Sequence, residues 1–202
     1  SHVVHLGLDD AASTTRPYDA VPAALMVSRL HPDERYKGHD EVLAAWPLVL
    51  ERIPGAQLWI AGEGELQSEL ESSVARHKLD ENVRFFGRVS DTEKRQLIAR
   101  SRCLLMPSTG EGFGLVYLEA MRQGRPCLSG IDGGREVINP PEAGLSVTHR
   151  TPQEIADAVV RLMRGDDAWH ELSARAKHRY EQQFTSKHFA ERLNNAITEV
   201  AR

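Results

Sequence analysis

Two glutamates, Glu111 and Glu119, flank a glycine-rich segment in the second half of the chain. Residues 110–119 read GEGFGLVYLE, in which the glycines let the backbone approach a ligand closely before a predicted helix begins. Free N–H groups and the positive end of the helix dipole suit a phosphate at that point. Because ionised carboxylates only accept hydrogen bonds, the glutamates suit ligand hydroxyls. The segment therefore indicates nucleotide-sugar chemistry, although glycines and glutamates also mark ordinary helix starts.

A group of basic residues lies at the turn between an apolar run, residues 22–30, and a helical pattern that begins at Gly38. The group consists of Arg29, Arg35 and Lys37. In an open α/β sheet, ligands bind where strand ends meet helix starts, so these residues predict a cationic rim around the same site. Each of them taken singly is more typical of a solvated loop charge.

Apolar runs alternate with helical patterns along most of the chain. The predicted strands are 23–29, 56–61, 83–87, 102–106, 126–129 and 144–147. The predicted helices are 38–53, 63–78, 90–100, 115–123, 152–164, 167–183 and 186–201. Alternation of this kind with short connections predicts a parallel, doubly wound sheet, and the chain ends in three consecutive helices.

These segments together resemble the C-terminal, donor-binding half of the retaining glycosyltransferases of family 4, whose fold is called GT-B. The matching pieces, in chain order, are HLGLDD at 5–10, VSRL at 27–30, KGHDEVLAAW at 37–46, LWIAGEGEL at 58–66, VRFFGRVSDTE at 83–93, LLMPSTGEGFGLVYLEAM at 104–121 and GIDGGREVI at 130–138. The resemblance implies a Rossmann-like doubly wound parallel sheet with extra C-terminal helices.

The same resemblance implies a role for each candidate site residue. Arg29 and Lys37 would hold the donor diphosphate, Glu111 would contact the donor sugar, and Arg29, Lys37 and Glu111 would form the catalytic set. Glu119 would hold the ribose. The base would meet Gly87, Arg88 and Val89, and the backbone amides of Gly112, Phe113, Gly114 and Leu115 would meet the sugar and phosphate. The stretch that contains Arg135 is one residue shorter than the family pattern, which leaves the role of Arg135 open.

The implied activity is transfer of a sugar, with retention of configuration, from a UDP- or GDP-sugar to a saccharide or lipid-linked acceptor. Neither a cofactor nor a metal is predicted, since the chain lacks an Asp-x-Asp pair that would bind a metal–diphosphate complex. Two alternatives stay open: a non-catalytic nucleotide-binding module, and another GT-B enzyme such as a sugar-nucleotide epimerase. The GEGEL stretch at 62–66 lacks the third glycine of a dinucleotide fingerprint, and no P-loop pattern is present.

Composition and charge narrow the possible partners. The 202 residues are 41% hydrophobic with a net charge of −4, which is typical of a globular chain and does not favour a nucleic-acid surface. Both cysteines lie in apolar runs, which predicts a reducing compartment. No apolar stretch approaches the roughly 20 residues of a membrane span. A cytoplasmic location is therefore expected, with peripheral contact at the inner membrane left open.

The predicted domain organisation follows from the resemblance. Residues 1–21 are expected to be an interdomain linker and the start of the domain, and residues 22–183 the nucleotide-sugar-binding domain. Residues 184–202 are expected to form a helix that packs back on an N-terminal, acceptor-binding domain missing from this chain.

Overall fold

Parallel strands form the centre of the molecule. The computed structural model describes residues 4–8 and 21–200, and the described strands are β1 (Ala23–Val27), β2 (Gln57–Ala61), β3 (Val83–Gly87), β4 (Cys103–Met106), β5 (Cys127–Ser129) and β6 (Gly144–Ser146). They make one six-stranded sheet in the order β3-β2-β1-β4-β5-β6, with every pairing parallel. The predicted parallel, doubly wound arrangement is confirmed.

Helices connect the strands and cover both faces of the sheet. They are α1 (His39–Leu50), α2 (Gln67–Arg76), α3 (Asp91–Arg100), α4 (Leu115–Arg122), α5 (Gly133–Ile138), α6 (Pro152–Met163), α7 (Asp167–Gln183) and α8 (Ser186–Val200). A 3-10 helix, Pro32–Lys37, precedes α1. The three consecutive helices predicted after the last strand are present as α6, α7 and α8.

The central strands β1 and β4 are apolar throughout because both faces of the sheet are buried there. Along β1, Ala24 and Met26 belong to a core layer that also contains residues of α1, α2 and α6. The alternate residues, Ala23 and Leu25, belong to a second layer with residues of α3, α4, α5 and α7. The period of two along each strand therefore divides one continuous apolar run between two cores.

Several predicted boundaries were wrong. The first predicted strand extended to residue 29, whereas β1 ends at Val27. The predicted helix 63–78 begins only at Gln67 in the structure, because Gly62 (φ 146) and Gly64 (φ 151) pack directly against backbone oxygens of the chain that follows β1. Neither α5 nor the 3-10 helix was predicted, since six residues are too few to show a helical period.

The chain order places the topological switch point between β1 and β4. These two strands are neighbours in the sheet, but their following helices lie on opposite faces. A crevice opens at the carboxyl ends of the strands on either side of such a point. The segment that follows β1, residues 28–38, and the segment that follows β4, residues 107–114, therefore line the same crevice.

The predicted linker, residues 1–21, falls largely on residues 1–3 and 9–20, which lie outside the described residues. The described part pairs with the start of α8: the Leu8 N–H donates to the Phe184 carbonyl at 3.0 Å, and the Ser186 N–H donates to the Leu8 carbonyl at 2.8 Å. On α8, Leu193 and Ile197 are exposed. No helix within the described ranges is both long enough and apolar enough to cross a membrane.

Arg125, a fully buried charged residue, caps the carboxyl end of α3. Its guanidinium donates to the carbonyls of Ile98 and Ala99 in the last turn of that helix and lies 5.8 Å from the Trp169 ring. Carbonyls of a last helical turn lack partners within their own helix, and a cation there also favours the helix dipole. Arg125, which lies just before β5, thus connects α3 to α7.

We expect Arg125→Met to lower the free energy of unfolding by about 2–3 kcal/mol, because it removes the guanidinium donor of the buried Ala99 carbonyl and one of two donors to the Ile98 carbonyl. Urea unfolding of the variant and parent measures the difference. Arg95→Met, at an exposed position of the same helix, is the control and should change stability by less than about 0.5 kcal/mol. Equal effects of the two substitutions would contradict a capping role for Arg125.

Candidate active site

A single buried carboxylate holds both predicted diphosphate-binding cations. Glu34, in the 3-10 helix, is 7% exposed. The Lys37 Nζ lies 2.7 Å from one of its oxygens, and the Arg29 guanidinium contacts the other. The Lys37 side chain is only 12% exposed, whereas that of Arg29 is 82% exposed. Lys37 is therefore fixed in the crevice, whereas Arg29 is a solvent-exposed side chain that pairs with the same carboxylate.

Glu34 stays ionised although it is buried. Burial alone would raise the pKa of Glu34, but its contacts with Lys37 and Arg29 outweigh burial and hold the pKa below its ordinary value. Glu34 was not singled out in the sequence, where an acidic residue at a helix start has no distinctive pattern. Arg35, predicted to join the cationic rim, instead contacts Asp40 at 2.9 Å and Glu69, so its guanidinium is occupied at the surface between α1 and α2.

The glycine loop, residues 110–114, is held by Asp132 at the start of α5. One Asp132 oxygen accepts from the Glu111 N–H at 2.8 Å and from the Ser108 hydroxyl. The other oxygen accepts from the Gly134 N–H at 3.1 Å, which caps α5. Asp132 lies in the GIDGGREVI stretch without a predicted role; an aspartate directly before a helix start is the signal that could have identified it.

Close backbone packing explains why glycines surround this loop. A Cβ on Gly130 would lie 1.7 Å from the Ser108 carbonyl oxygen, and one on Gly133 would lie 1.9 Å from that of Gly112. Gly114 has φ 76, a left-handed conformation, immediately before α4. A Cβ on Gly112 would meet nothing within 4 Å. The loop is thus packed from behind, while its tip at Gly112 has free space on one side.

The two glutamates have different surroundings. The Lys94 Nζ lies 2.8 Å from one Glu119 oxygen and 3.3 Å from Asp91. The second Glu119 oxygen is buried and has no hydrogen-bond partner among the described residues. Burial lowers the pKa of Lys94, but the contacts with both carboxylates raise it overall. Glu119 is therefore oriented through one oxygen, and its other oxygen is a buried acceptor without a donor among the described residues, whereas the Glu111 side chain is partly exposed at the loop.

The three residues predicted to meet the base lie at the end of β3 and in the loop after it. Gly87 (φ 62) ends β3 and its carbonyl accepts from the Gly62 N–H at 2.8 Å. Arg88 is exposed and lies 3.5 Å from a Glu63 oxygen, while Val89 packs at the edge of the second core layer.

At the other side of the site, the ring of Phe113 lies 5.7 Å from that of His5 and 6.2 Å from that of Phe184, so this side chain is used for packing. Leu115 is exposed at the start of α4. Arg135 is exposed on α5.

The structure joins the two predicted anion-binding segments directly. The Thr109 N–H donates to the Tyr36 carbonyl at 3.0 Å, and the Tyr36 ring lies beside Gly110, where a Cβ would come within 3.2 Å of it. Because Tyr36 precedes Lys37, this contact fixes the glycine loop against the segment that carries the cations. Among the described residues, no group of three or more His, Cys, Asp or Glu side chains is arranged to hold a metal ion.

His39 lies directly behind Lys37 as a buried neutral imidazole. Its Nε2 is 3.0 Å from the Ser28 hydroxyl, and its Nδ1 has no hydrogen-bond partner among the described residues. Burial, with a smaller contribution from the positive charge of Lys37, lowers the pKa of His39 from 6.5 to about 4, while Asp40 and Glu34 act weakly in the opposite direction. His39 is thus part of the floor under the cation segment, residues 28–38.

We expect His39 to make folding stability depend on pH between 6.5 and about 4. In that range the unfolded chain binds a proton on His39 that the folded chain does not bind, so the free energy of unfolding falls as the pH is lowered, by about 3 kcal/mol in total. His39→Gln lacks this contribution. Urea unfolding of both proteins at about pH 7 and about pH 4.5 tests the difference in slope. A constant difference between the two proteins across that range would refute it.

Two glycine substitutions should distinguish the packed side of the loop from its open tip. Gly130→Ala forces a backbone shift and should reduce stability by about 3 kcal/mol. Gly112→Ala has room for its Cβ and should change stability by less than about 0.5 kcal/mol, while placing a methyl group at the loop tip. Thermal unfolding compares the two. Comparable losses of stability would show that the loop tip is not open.

Comparisons with known proteins identify the family of this chain. The model of the family Glycosyl transferases group 1 matches residues 21–165. A glycogen synthase from Mycobacterium tuberculosis is 35% identical over 178 residues, which are 86% of this chain and 42% of that protein. A GDP-mannose-dependent phosphatidylinositol monomannoside mannosyltransferase from Corynebacterium glutamicum is 28% identical over 89% of this chain and 48% of its own length. The chain thus spans about half the length of the curated relatives it matches.

Solved structures show the same fold. The lipopolysaccharide outer core galactosyltransferase WaaB superposes with a TM-score of 0.80 and 25% identity, over 98% of this chain and 55% of that one. HepE from Anabaena, solved with UDP-glucose, gives a TM-score of 0.76 and 23% identity over 88% of this chain and 48% of that one. These neighbours are GT-B glycosyltransferases, so the predicted Rossmann-like half of a GT-B fold is confirmed. The chain belongs to the Glycosyl transferases group 1 family.

Proposed function

We propose that this chain binds the donor of a sugar-nucleotide-dependent glycosyltransferase. The observation that carries the proposal is the contact of Thr109 with Tyr36, which places the glycine loop and the Lys37 segment together at the switch point of the sheet. Both pieces suit a diphosphate: one offers backbone N–H groups before a helix, and the other offers fixed cations. The donor is a UDP- or GDP-sugar, and HepE, whose structure contains UDP-glucose, supports this choice by its fold.

In this proposal Lys37 and Arg29 stabilise the charge that develops on the leaving diphosphate. Hydrogen-bond donors and cations that are already oriented stabilise such charge without reorganisation during the reaction. Glu34 holds Lys37 through one contact. Because an ammonium has three N–H groups, the others can donate to a phosphate oxygen. Amides of Gly112, Phe113, Gly114 and Leu115 would complete the cradle around sugar and phosphate.

The two glutamates would divide the hydroxyl groups of the donor. Glu119 has one oxygen on Lys94, and its other oxygen is buried without a hydrogen-bond partner in the described part of the chain, so it would accept from the ribose. Glu111, in the loop itself, would accept from the sugar hydroxyls. Backbone of Gly87, Arg88 and Val89 at the end of β3 would meet the base, because β3 leads directly into α3, which carries Lys94.

Retention of configuration and independence of a metal are further parts of the proposal. They rest on the family resemblance and on the cations, which can neutralise the leaving group without a bridging metal. Residues 22–183 would form the donor-binding domain, with 1–21 as linker and 184–202 against an acceptor-binding domain. The name of a Mycobacterium leprae relative, a phosphatidyl-myo-inositol mannosyltransferase, supports a lipid-linked acceptor and thus peripheral contact with a membrane from the cytoplasm.

Calorimetric titration of the 202-residue chain with UDP, GDP, UDP-glucose and GDP-mannose tests donor binding. For nucleotides with the base that binds, we expect Glu119→Gln to lower the affinity for the nucleoside diphosphate and for the sugar nucleotide by a similar factor of roughly ten, because both contain the ribose. Glu111→Gln should weaken only the sugar nucleotide. Glu81→Gln, exposed before the amino end of β3, is the matched control and should bind as the parent does.

Each outcome bears on a separate part of the proposal. If the folded parent binds none of the four compounds, donor binding is wrong. If Glu111→Gln weakens the free diphosphate as strongly as the sugar nucleotide, the division of roles between the glutamates is wrong. Nucleotide binding by this chain, followed by no sugar transfer in a protein that also contains the acceptor-binding half, would favour the non-catalytic module.

A further inference from the structure

The loop between β6 and α6 holds Arg150 in a left-handed backbone conformation, with φ 53. A residue with a side chain rarely adopts this region, and such strain persists only where surrounding contacts enforce it. Here the enforcing group is Glu154 in the first turn of α6. Its carboxylate accepts from three consecutive N–H groups, those of Thr148, His149 and Arg150, each at 2.8 Å. The loop is therefore wrapped around one carboxylate.

The Arg150 side chain is buried against the two segments that line the crevice. Only 12% of it is exposed. Its guanidinium contacts the carboxylate of Glu41, in the first turn of α1, and donates to the Thr109 hydroxyl at 3.3 Å. Thr109 is the residue immediately before the glycine loop. Arg150 thus connects the start of α1 to the start of the glycine loop from a third, separate loop of the chain.

The contact with Thr109 lies where the two anion-binding pieces meet. Thr109 donates its backbone N–H to the Tyr36 carbonyl, next to Lys37, and accepts from Arg150 through its hydroxyl. A guanidinium taken out of water loses solvation, and a glycine would adopt φ 53 without strain. The cost of burying this guanidinium is accounted for if the position of Thr109 matters to the crevice.

We propose that Arg150 is a positioning residue of the donor site, which holds Thr109, and through it the glycine loop, against the cation segment. The inference rests on the proposed donor binding, and it concerns the diphosphate part of the donor specifically. The ribose contact at Glu119 is organised separately by Lys94 from α3. Arg150 should therefore affect ligands that reach the glycine loop and spare those that stop at the ribose and first phosphate.

Arg150→Gly tests this inference, because glycine accepts the backbone conformation and removes only the side chain. In calorimetric titrations, we expect the affinity for UDP or GDP to fall about tenfold, as for loss of a charge-assisted contact, with less than about a twofold change for UMP or GMP. The melting temperature should stay close to that of the parent, since relief of strain offsets the lost contacts. His149→Gly, an exposed neighbour in the same loop, is the matched control and should bind both ligands normally.

Thr109→Val is an independent test, because it keeps the shape of the side chain and removes the hydroxyl that accepts from Arg150. It should reproduce the selective loss, and the double variant Arg150→Gly/Thr109→Val should lose no more than either single variant, because both remove the same contact. Arg150→Lys, which keeps the charge but not the forked donor, should recover only part of the affinity.

The outcomes distinguish the inference from the proposed function. A parent that binds neither UDP nor GDP would overturn both. A parent that binds, with Arg150→Gly binding the diphosphate equally well, would overturn only the role of Arg150. Equal losses for mono- and diphosphate, or additive losses in the double variant, would also overturn it, because they would show a general structural effect or an action that does not pass through Thr109.

Discussion

The parallel direction of all six strands is the constraint on which the site depends. Because every strand ends at the same edge of the sheet, loops far apart in the chain are brought to that edge. The order β3-β2-β1-β4-β5-β6 opens a crevice where the connections after β1 and β4 leave toward opposite faces. The segments after these two strands contact each other through Thr109 and Tyr36. The loop after β6 reaches the same place through Arg150. Chemistry at this edge is therefore assembled by topology rather than by local sequence.

Within that frame, buried or half-buried carboxylates fix the groups that would meet a ligand. Glu34 holds Lys37, and Asp132 holds the backbone of the glycine loop. Glu154 accepts hydrogen bonds from the backbone of the loop that carries Arg150. The carboxylates lie behind the loops, so the oriented cations and N–H groups remain for the ligand. A preorganised site avoids the cost of ordering these groups when a ligand binds.

The fold could be predicted because its signals are local. Strands buried on both faces give continuous apolar runs, and each βα unit carries its own period and turn residues, so the strand and helix order was confirmed. The 3-10 helix and α5 were missed because they are short. The glycine loop and Lys37 could be found by their residue types. The contact of Glu34 with Lys37 is local, but an acidic residue at this position has no distinctive pattern in the sequence. The contacts of Asp132 and Arg150 join separate loops, such as Arg150 with Thr109 at a separation of 41 residues, and no local signal reports them.

The charge of the site has a consequence for what it can recognise. Glu34 neutralises one of the two charges supplied by Arg29 and Lys37, so these three side chains together carry a single positive charge. Net attraction alone would then favour a diphosphate only weakly, and the whole chain is acidic. For the proposed diphosphate ligand, discrimination must come from geometry. An ammonium and N–H groups held at fixed positions can match two linked phosphates, whereas a mobile pair of cations would accept any anion. The buried carboxylate thus reduces non-specific attraction and increases orientation at the same time.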